Sequence, residues 1–363
     1  MAYAAFHPSS IARVIQCPGS WKLCRMYPDR SSSDAAAEGT AAHWVAEQGL
    51  RGNLPIVGTI APNGVPITEE MLEGAEMYIN AIGPGPHNIE QKLTPSSDLH
   101  PELWGTPDAW SYIGGIIEIS DYKFGHGYVE VFENPQLVTY ACLILDQLGI
   151  DGLQEQFIKL LFRVVQPRSY ASDGPVRTWE CKASDIRAMR NKIKAAIVEA
   201  QSENAQCHVG KECRYCNARA YCTTLQRADM VAVDYSSQSI PMELPPTAIG
   251  LELRLLRRAA DMINARLSGL EEVAIATAKR GIVVPGWRLE TGLGRTRWNA
   301  SVSVLEALSA TMGVKLTEAI PITPKQAVKA GIPQSVVAQL SETPTGKTVL
   351  VEDDGSLARR CFG

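Results

Sequence analysis

The sequence predicts an α/β fold followed by a smaller α+β domain. Three observations carry that expectation. Helix-type and strand-type segments follow one another from residue 34 to about residue 204. A proline cluster, Pro241, Pro245 and Pro246, then reads as a linker before a long amphipathic stretch. A chain of 363 residues accommodates two domains of ordinary size. The first is placed at residues 1–235 and the second at 236–363.

The elements are justified in order. A short helix is expected from Ser9 to Met26, broken at Cys17-Pro18-Gly19. A second runs over 34–50 and ends near Gly49; a loop rich in proline and glycine follows, then a helix near 68–82. Gly105 to Lys123 reads as a hairpin. Trp110, Tyr112, Ile117 and Ile119 are β-formers, and Gly114-Gly115 is a two-residue turn. That turn pairs Ile113 with Ile116, which sets Asp108 opposite Asp121. Asp108, Asp121 and Lys123 then share one face. Asn134-Pro135 opens a helix that runs to about Gly149 and carries Gln136 and Tyr140 one turn apart. Strands at about 156–165 and 176–181 follow, then a helix from a Ser184 cap to about Asn204. A long amphipathic helix spans roughly 248–280. The remainder mixes short strands and helices.

Composition excludes several classes. Hydrophobic residues are 45% and charged residues 20%, so the bulk of the chain is neither disordered nor fibrous. No apolar run is long enough to span a membrane, and MAYAAFHPSS lacks the pattern of a secretory leader. A cytoplasmic protein is expected. The net charge of −4 places any nucleic-acid surface in local stretches. From Lys182 to Arg227 nine basic residues face four acids, and Arg254 to Arg297 holds nine basic residues. Trp287 and Trp298 are candidates for stacking on unpaired bases.

Two constellations carry chemistry. Asp108 and Asp121, facing each other, repel unless a cation lies between them. Oxygen ligands select Mg²⁺ or Mn²⁺, and His43 would add a nitrogen that suits Mn²⁺. Lys123 is placed to orient a water or to stabilise charge on a phosphate. The set suffices for metal-assisted phosphodiester hydrolysis. Singly, each residue has a plainer role, a turn aspartate or a surface ion pair, so the reading rests on the ordered set. The second constellation is the cysteines. Nine of them, an odd number, argue against a disulfide framework. Cys213, Cys216 and Cys222 supply three thiolates within one short segment, and a closed site needs a fourth from Cys17, Cys24 or Cys207. A zinc knuckle completed by Cys207-His208 is the alternative.

With these residues in place, the chain resembles the RecB-like branch of the PD-(D/E)XK nucleases, among members that carry an iron–sulfur cluster. Within it, the chain resembles an uncharacterised phage and prophage family encoded beside recombination genes. The likeness covers about residues 7–225. It continues weakly through 245–355, at Val284-Pro285-Gly286-Trp287 and Ile322-Thr323-Pro324-Lys325-Gln326-Ala327. The resemblance implies a restriction-endonuclease-like core, a central mixed sheet flanked by helices, and a metal held by His43, Asp108, Asp121 and the Tyr122 carbonyl. It implies catalytic roles for Asp108, Asp121, Lys123, Gln136 and Tyr140, the last two near the nucleic-acid backbone. It implies a [4Fe–4S] cluster on Cys17, Cys213, Cys216 and Cys222, stapling the domain end to end. The activity expected is a metal-dependent DNA exonuclease acting on linear DNA with ends. A phage single-strand annealing or single-strand-binding protein is a candidate partner, and the oligomeric state is open. The alternative is a non-catalytic iron–sulfur or zinc scaffold module. A motor is disfavoured: Ser341 to Thr348 resembles a P-loop tail, but serine stands where its first glycine belongs.

Overall fold

The computed structural model describes residues 6–27, 34–94, 98–236 and 245–289, with residues 335 and 359. The chain divides into two compact units, residues 1–280 with 355–363, and residues 281–354. The Ser341–Thr348 stretch, Ile322–Ala327, Arg295, Arg297, Trp298 and Cys361 lie outside the described residues.

Eight α-helices and one sheet are present among the described residues. Helix α1 (Ile11–Gln16) and α2 (Ser20–Met26) are separated at Cys17, as the Pro18-Gly19 break predicts. Helix α3 (Asp34–Leu50) and α4 (Glu69–Ile82) follow. The Thr68 hydroxyl caps α4 by accepting from the Met71 N–H at 3.3 Å, and Glu69 and Glu70 favour the positive end of its dipole.

The sheet has the order β1-β2-β3-β4-β5, made of Asn88–Ile89, Ala109–Ile113, Ile116–Tyr122, Lys159–Val165 and Val176–Lys182. Only β3 and β4 run parallel, so the sheet is mixed. The β2–β3 register pairs Ile113 with Ile116 and Ala109 with Ser120, the pairing the turn predicts. Gly114 and Gly115 take φ of 58° and 80°, which a two-residue hairpin turn of the primed type requires. Helix α5 (Pro135–Leu148) makes the crossover between the parallel strands. The Asn134 side chain accepts from the Gln136 and Leu137 N–H groups, a cap worth about 1 kcal/mol, and Gly149 ends the helix in the left-handed region.

Side-chain alternation divides the core. On one face Trp110, Ile117, Ile119, Leu160 and Phe162 pack with α1, α5 and α6 (Arg187–Gln201). On the other, Ala109, Tyr122 and Val165 pack with α3 and α4. Gly74 on α4 lets Tyr122 approach, because a Cβ there would collide with the tyrosine hydroxyl.

Three differences from the sequence expectation have physical reasons. A 3-10 turn over Ala183–Ile186 precedes α6, so Ser184 is not its cap; Asp185 instead accepts the Lys182 N–H. Helix α7 (Thr223–Ser236) has Met230, Val231 and Val233 exposed, so it lacks the buried apolar periodicity that signals a helix. Helix α8 (Pro246–Lys279) starts at Pro246, which serves as first helical residue rather than linker, and it belongs to the first unit. No helix among the described residues is long and apolar enough to cross a membrane.

Candidate functional site

The hairpin ends where α3 and α5 meet the sheet. Asp108 Oδ2 accepts the Tyr122 N–H at 2.6 Å, which fixes the two strands at the predicted register. Its Oδ1 lies 3.4 Å from His43 Nδ1. The His43 ring stands edge-on to Tyr122, with centroids 5.4 Å apart. The Lys123 ammonium donates to Asp121, 2.9 Å from Oδ2 and 3.1 Å from Oδ1, and to Gln136 Oε1 at 3.3 Å. Gln136 Nε2 donates to Asp121 Oδ1 at 3.1 Å. Gln136 therefore holds the carboxylate and the ammonium together. Tyr140 donates its hydroxyl to the Thr106 carbonyl at 3.2 Å, which braces the entry to β2.

Glu90 was absent from the sequence expectation. The structure gathers His43, Glu90 and Asp108 so that one ligand atom from each lies within 4.8 Å of the others. Glu90 follows β1, a strand of two residues too short to read from sequence. Its N–H donates to the Asp108 carbonyl at 3.1 Å, so it becomes a neighbour only once β1 pairs with β2. Its φ of 49° is left-handed for a non-glycine, a conformation that costs about 1–3 kcal/mol and concentrates at functional sites.

Electrostatics follow from three acids around one lysine and one histidine. Burial lifts Glu90 to about 7, with Asp108 adding to the rise. Burial also raises Asp121, against the opposing effect of Lys123. Burial would raise Asp108 too, but His43 and Lys123 outweigh it and leave the group acidic. His43 and Lys123 are raised in turn, because neighbouring aspartates outweigh burial. The acids outnumber the cations, which is the setting for a divalent metal with oxygen and nitrogen ligands. A carboxylate near 7 must ionise to bind it. His43, raised above its ordinary value, must lose a proton as well, so Mn²⁺ affinity should rise by more than tenfold per pH unit below 7, with that slope reduced in Glu90→Gln. Titration calorimetry from pH 5.5 to 8 measures both slopes, and equal slopes would remove Glu90 from the ligand set.

Other acids are engaged elsewhere. Glu38 pairs with Arg168 at 2.8 Å, Glu47 with Arg51 at 3.0 Å, and Glu118 with Arg163. Much of the positive charge expected over Lys182–Arg227 is also neutralised. Arg187 pairs with Glu155, Arg190 with Asp98 and Asp146, Lys194 with Asp98, and Arg219 with Glu272. Trp287 is exposed rather than core.

Cys17, Cys207, Cys213, Cys216 and Cys222 line one cavity. Cys17 Sγ accepts the His208 N–H at 3.2 Å, and Cys213 Sγ accepts the Gly210 N–H at 3.4 Å. Gly19 donates its N–H to the Gln206 carbonyl at 2.9 Å, and a Cβ at Gly19 would strike Ala205 and the Cys207 sulfur. Cys24 Sγ lies 3.5 Å from Cys216 Sγ, and that contact brings the Cys24 thiol down to about 6. Among the described residues no three of the sulfurs lie mutually within 4.8 Å. Cys142 is buried and Cys181 only partly so; burial pushes each up to about 12.

Fold and site together define an α/β protein with an acidic, histidine-containing candidate metal centre at the end of a sheet hairpin. The chain belongs to the family described as "Protein of unknown function (DUF2800)", whose sequence model matches residues 3–356. Among solved structures it is similar to one titled "Crystal structure of SSO0001". That similarity has 12% identity and a TM-score of 0.35, and covers 62% of this chain and 88% of the other.

Proposed function

We propose that this protein is a metal-dependent deoxyribonuclease built on a PD-(D/E)XK-type core. The observation that supports the reading best is the joining of two hairpin carboxylates, Asp108 and Asp121, to a lysine two residues beyond the second. His43 and Glu90 lie beside the first of them, Asp108. The ligand atoms of His43, Glu90 and Asp108 are near enough to one another to hold Mg²⁺ or Mn²⁺, with Asp121 on the adjoining strand. When bound, such an ion lowers the pKa of a water and polarises a phosphodiester. Lys123 keeps its proton, because Asp121 and Asp108 raise it, and so presents a fixed positive charge to the phosphate as negative charge develops. Gln136 keeps that ammonium from swinging away. His43 is held by Asp108 and by the Tyr122 ring.

The same reading assigns a [4Fe–4S] cluster to Cys17, Cys213, Cys216 and Cys222. Its support is that the distant Cys17 meets the other three at one cavity. The activity proposed is exonucleolytic, on DNA with ends. End-labelled linear DNA should be degraded in Mg²⁺ or Mn²⁺, while covalently closed circles survive. Rapid nicking of closed circles by clean protein would turn the reading to an endonuclease. No cleavage of either substrate in either metal would overturn it.

A further inference from the structure

Beside the candidate metal position lies a cavity of about 440 Å³. Helix α3 forms one wall. Thr40, His43, Trp44 and Glu47 line it, at spacings of three and four that place them on one helix face. Pro62 and Asn63 form a second wall. Their turn is pinned to α3, because the Asn63 side-chain amide donates to the Ala37 carbonyl at 2.7 Å. Gly64 closes that turn with a φ of 83°, and its N–H donates to the Ala61 carbonyl at 2.8 Å. Glu90 completes the lining. His43 and Glu90, two of the three residues that gather at the metal position, therefore also border this cavity.

The chemistry of the walls narrows the occupant. Trp44 is half-buried and packs against the core between the sheet and helices α3 and α4. Its ring is held there while part of it borders the cavity. The lining holds a tryptophan and a proline but no lysine or arginine. Glu47, which meets Arg51 through Oε1 at 3.0 Å, and Glu90 both repel a phosphate placed inside. A flat uncharged ring fits instead, stacked on the indole with any phosphate left outside. The volume lies within the roughly 300–1,000 Å³ of small-molecule sites, which suits part of one nucleotide and excludes a duplex.

We propose that this cavity is a base-binding subsite, in which an unpaired base next to the scissile phosphate stacks on Trp44. The proposal rests on the nuclease reading for that phosphate and adds the place of the base attached to it. His43 and Trp44 are consecutive on α3, one beside Asp108 and the other lining the cavity. A phosphate at the metal position thus has its base beside the indole. A base inside a duplex is stacked on both faces and paired, so only a base freed from its partner enters. Every base offers a π-face, so the subsite tolerates all four and sets a preference for unpaired strands rather than for sequence.

The test uses the full chain and has a binding arm and a cleavage arm. In Ca²⁺, chosen to hold DNA without turnover, a short single-stranded oligothymidylate should quench tryptophan emission. Trp44→Phe should lose that quench and keep the affinity, because phenylalanine still stacks. Trp44→Leu, which keeps an apolar side chain against the core, should bind about tenfold more weakly. Because that variant can disturb the core, an abasic nucleotide beside the scissile phosphate removes the ring from the other side. In Mg²⁺ or Mn²⁺ it should raise KM about tenfold for the wild type, with kcat little changed, and should cost Trp44→Leu nothing further. Cleavage that proceeds with the same abasic penalty in both proteins overturns the subsite and leaves the nuclease reading standing. A quench that survives in Trp44→Phe, or no quench by any single strand, also overturns it. A Trp44-dependent quench without cleavage of any DNA supports the subsite and overturns the nuclease reading.

Discussion

Asp121→Ala protein should leave linear DNA intact under conditions in which the wild type consumes it. Asp108→Ala should do the same and should also lose most of its metal affinity. The difference follows from the neighbours. Asp108 sits with His43 and Glu90, so removing it opens the ligand set. Asp121 is shared with Lys123 and Gln136, so removing it also releases the ammonium from its anchor. Lys123→Ala should behave differently again. Its positive charge is needed as the phosphate gains negative charge, so cleavage should fall by roughly a thousandfold or more. Metal affinity should hold or rise, because the variant frees a carboxylate from its ion pair. Calorimetric metal titration beside single-turnover cleavage separates the three variants. Full activity in Asp121→Ala, or unchanged metal affinity in Asp108→Ala, would sink the proposed centre.

The second large effect concerns the thiols. Protein purified without oxygen should be brown and carry about four irons and four labile sulfides per chain. Cys17→Ser and Cys213→Ser should bleach it and lower its thermal midpoint by tens of degrees, since metal binding in such a site is part of the folding free energy. Cys24→Ser tests the assignment from the other side. Cys24 reaches Cys216 but is not among the thiols that line the cavity, so its loss should leave the colour. Stoichiometric zinc without sulfide in the native protein would remove the cluster.

Legibility from sequence depended on range. The hairpin was legible because Gly114-Gly115 admits few turn types, and the turn alone fixed which residues lie opposite. The cap of α5 was legible for a similar reason, since Asn134 and Pro135 act within one turn of the chain. Glu90 was not, because its place depends on a two-residue strand finding β2. The neutralised arginines of α6 were hidden likewise. Arg190 pairs with Asp98, 92 positions away, and charge counting along the chain does not see such partners. The meeting of Cys17 with the cysteine segment was not legible in spacing, which left Cys24 and Cys207 as equal candidates, and the structure brings both of those near the segment as well.

The meeting of Cys17 with the segment after α6 has a temporal side. The Cys17 sulfur and the His208 N–H that donates to it are 191 positions apart. A ribosome adding roughly 5–20 residues per second makes the second about 10–40 s after the first. Through most of that interval α1, with Ile11 and Val14 meant for the core, has at most α5 to pack on and neither α6 nor the thiols. The amino-terminal segment is therefore among the first parts made and among the last to be secured. Nascent chains arrested before residue 208 should be cut by protease within their first 26 residues, while longer ones resist.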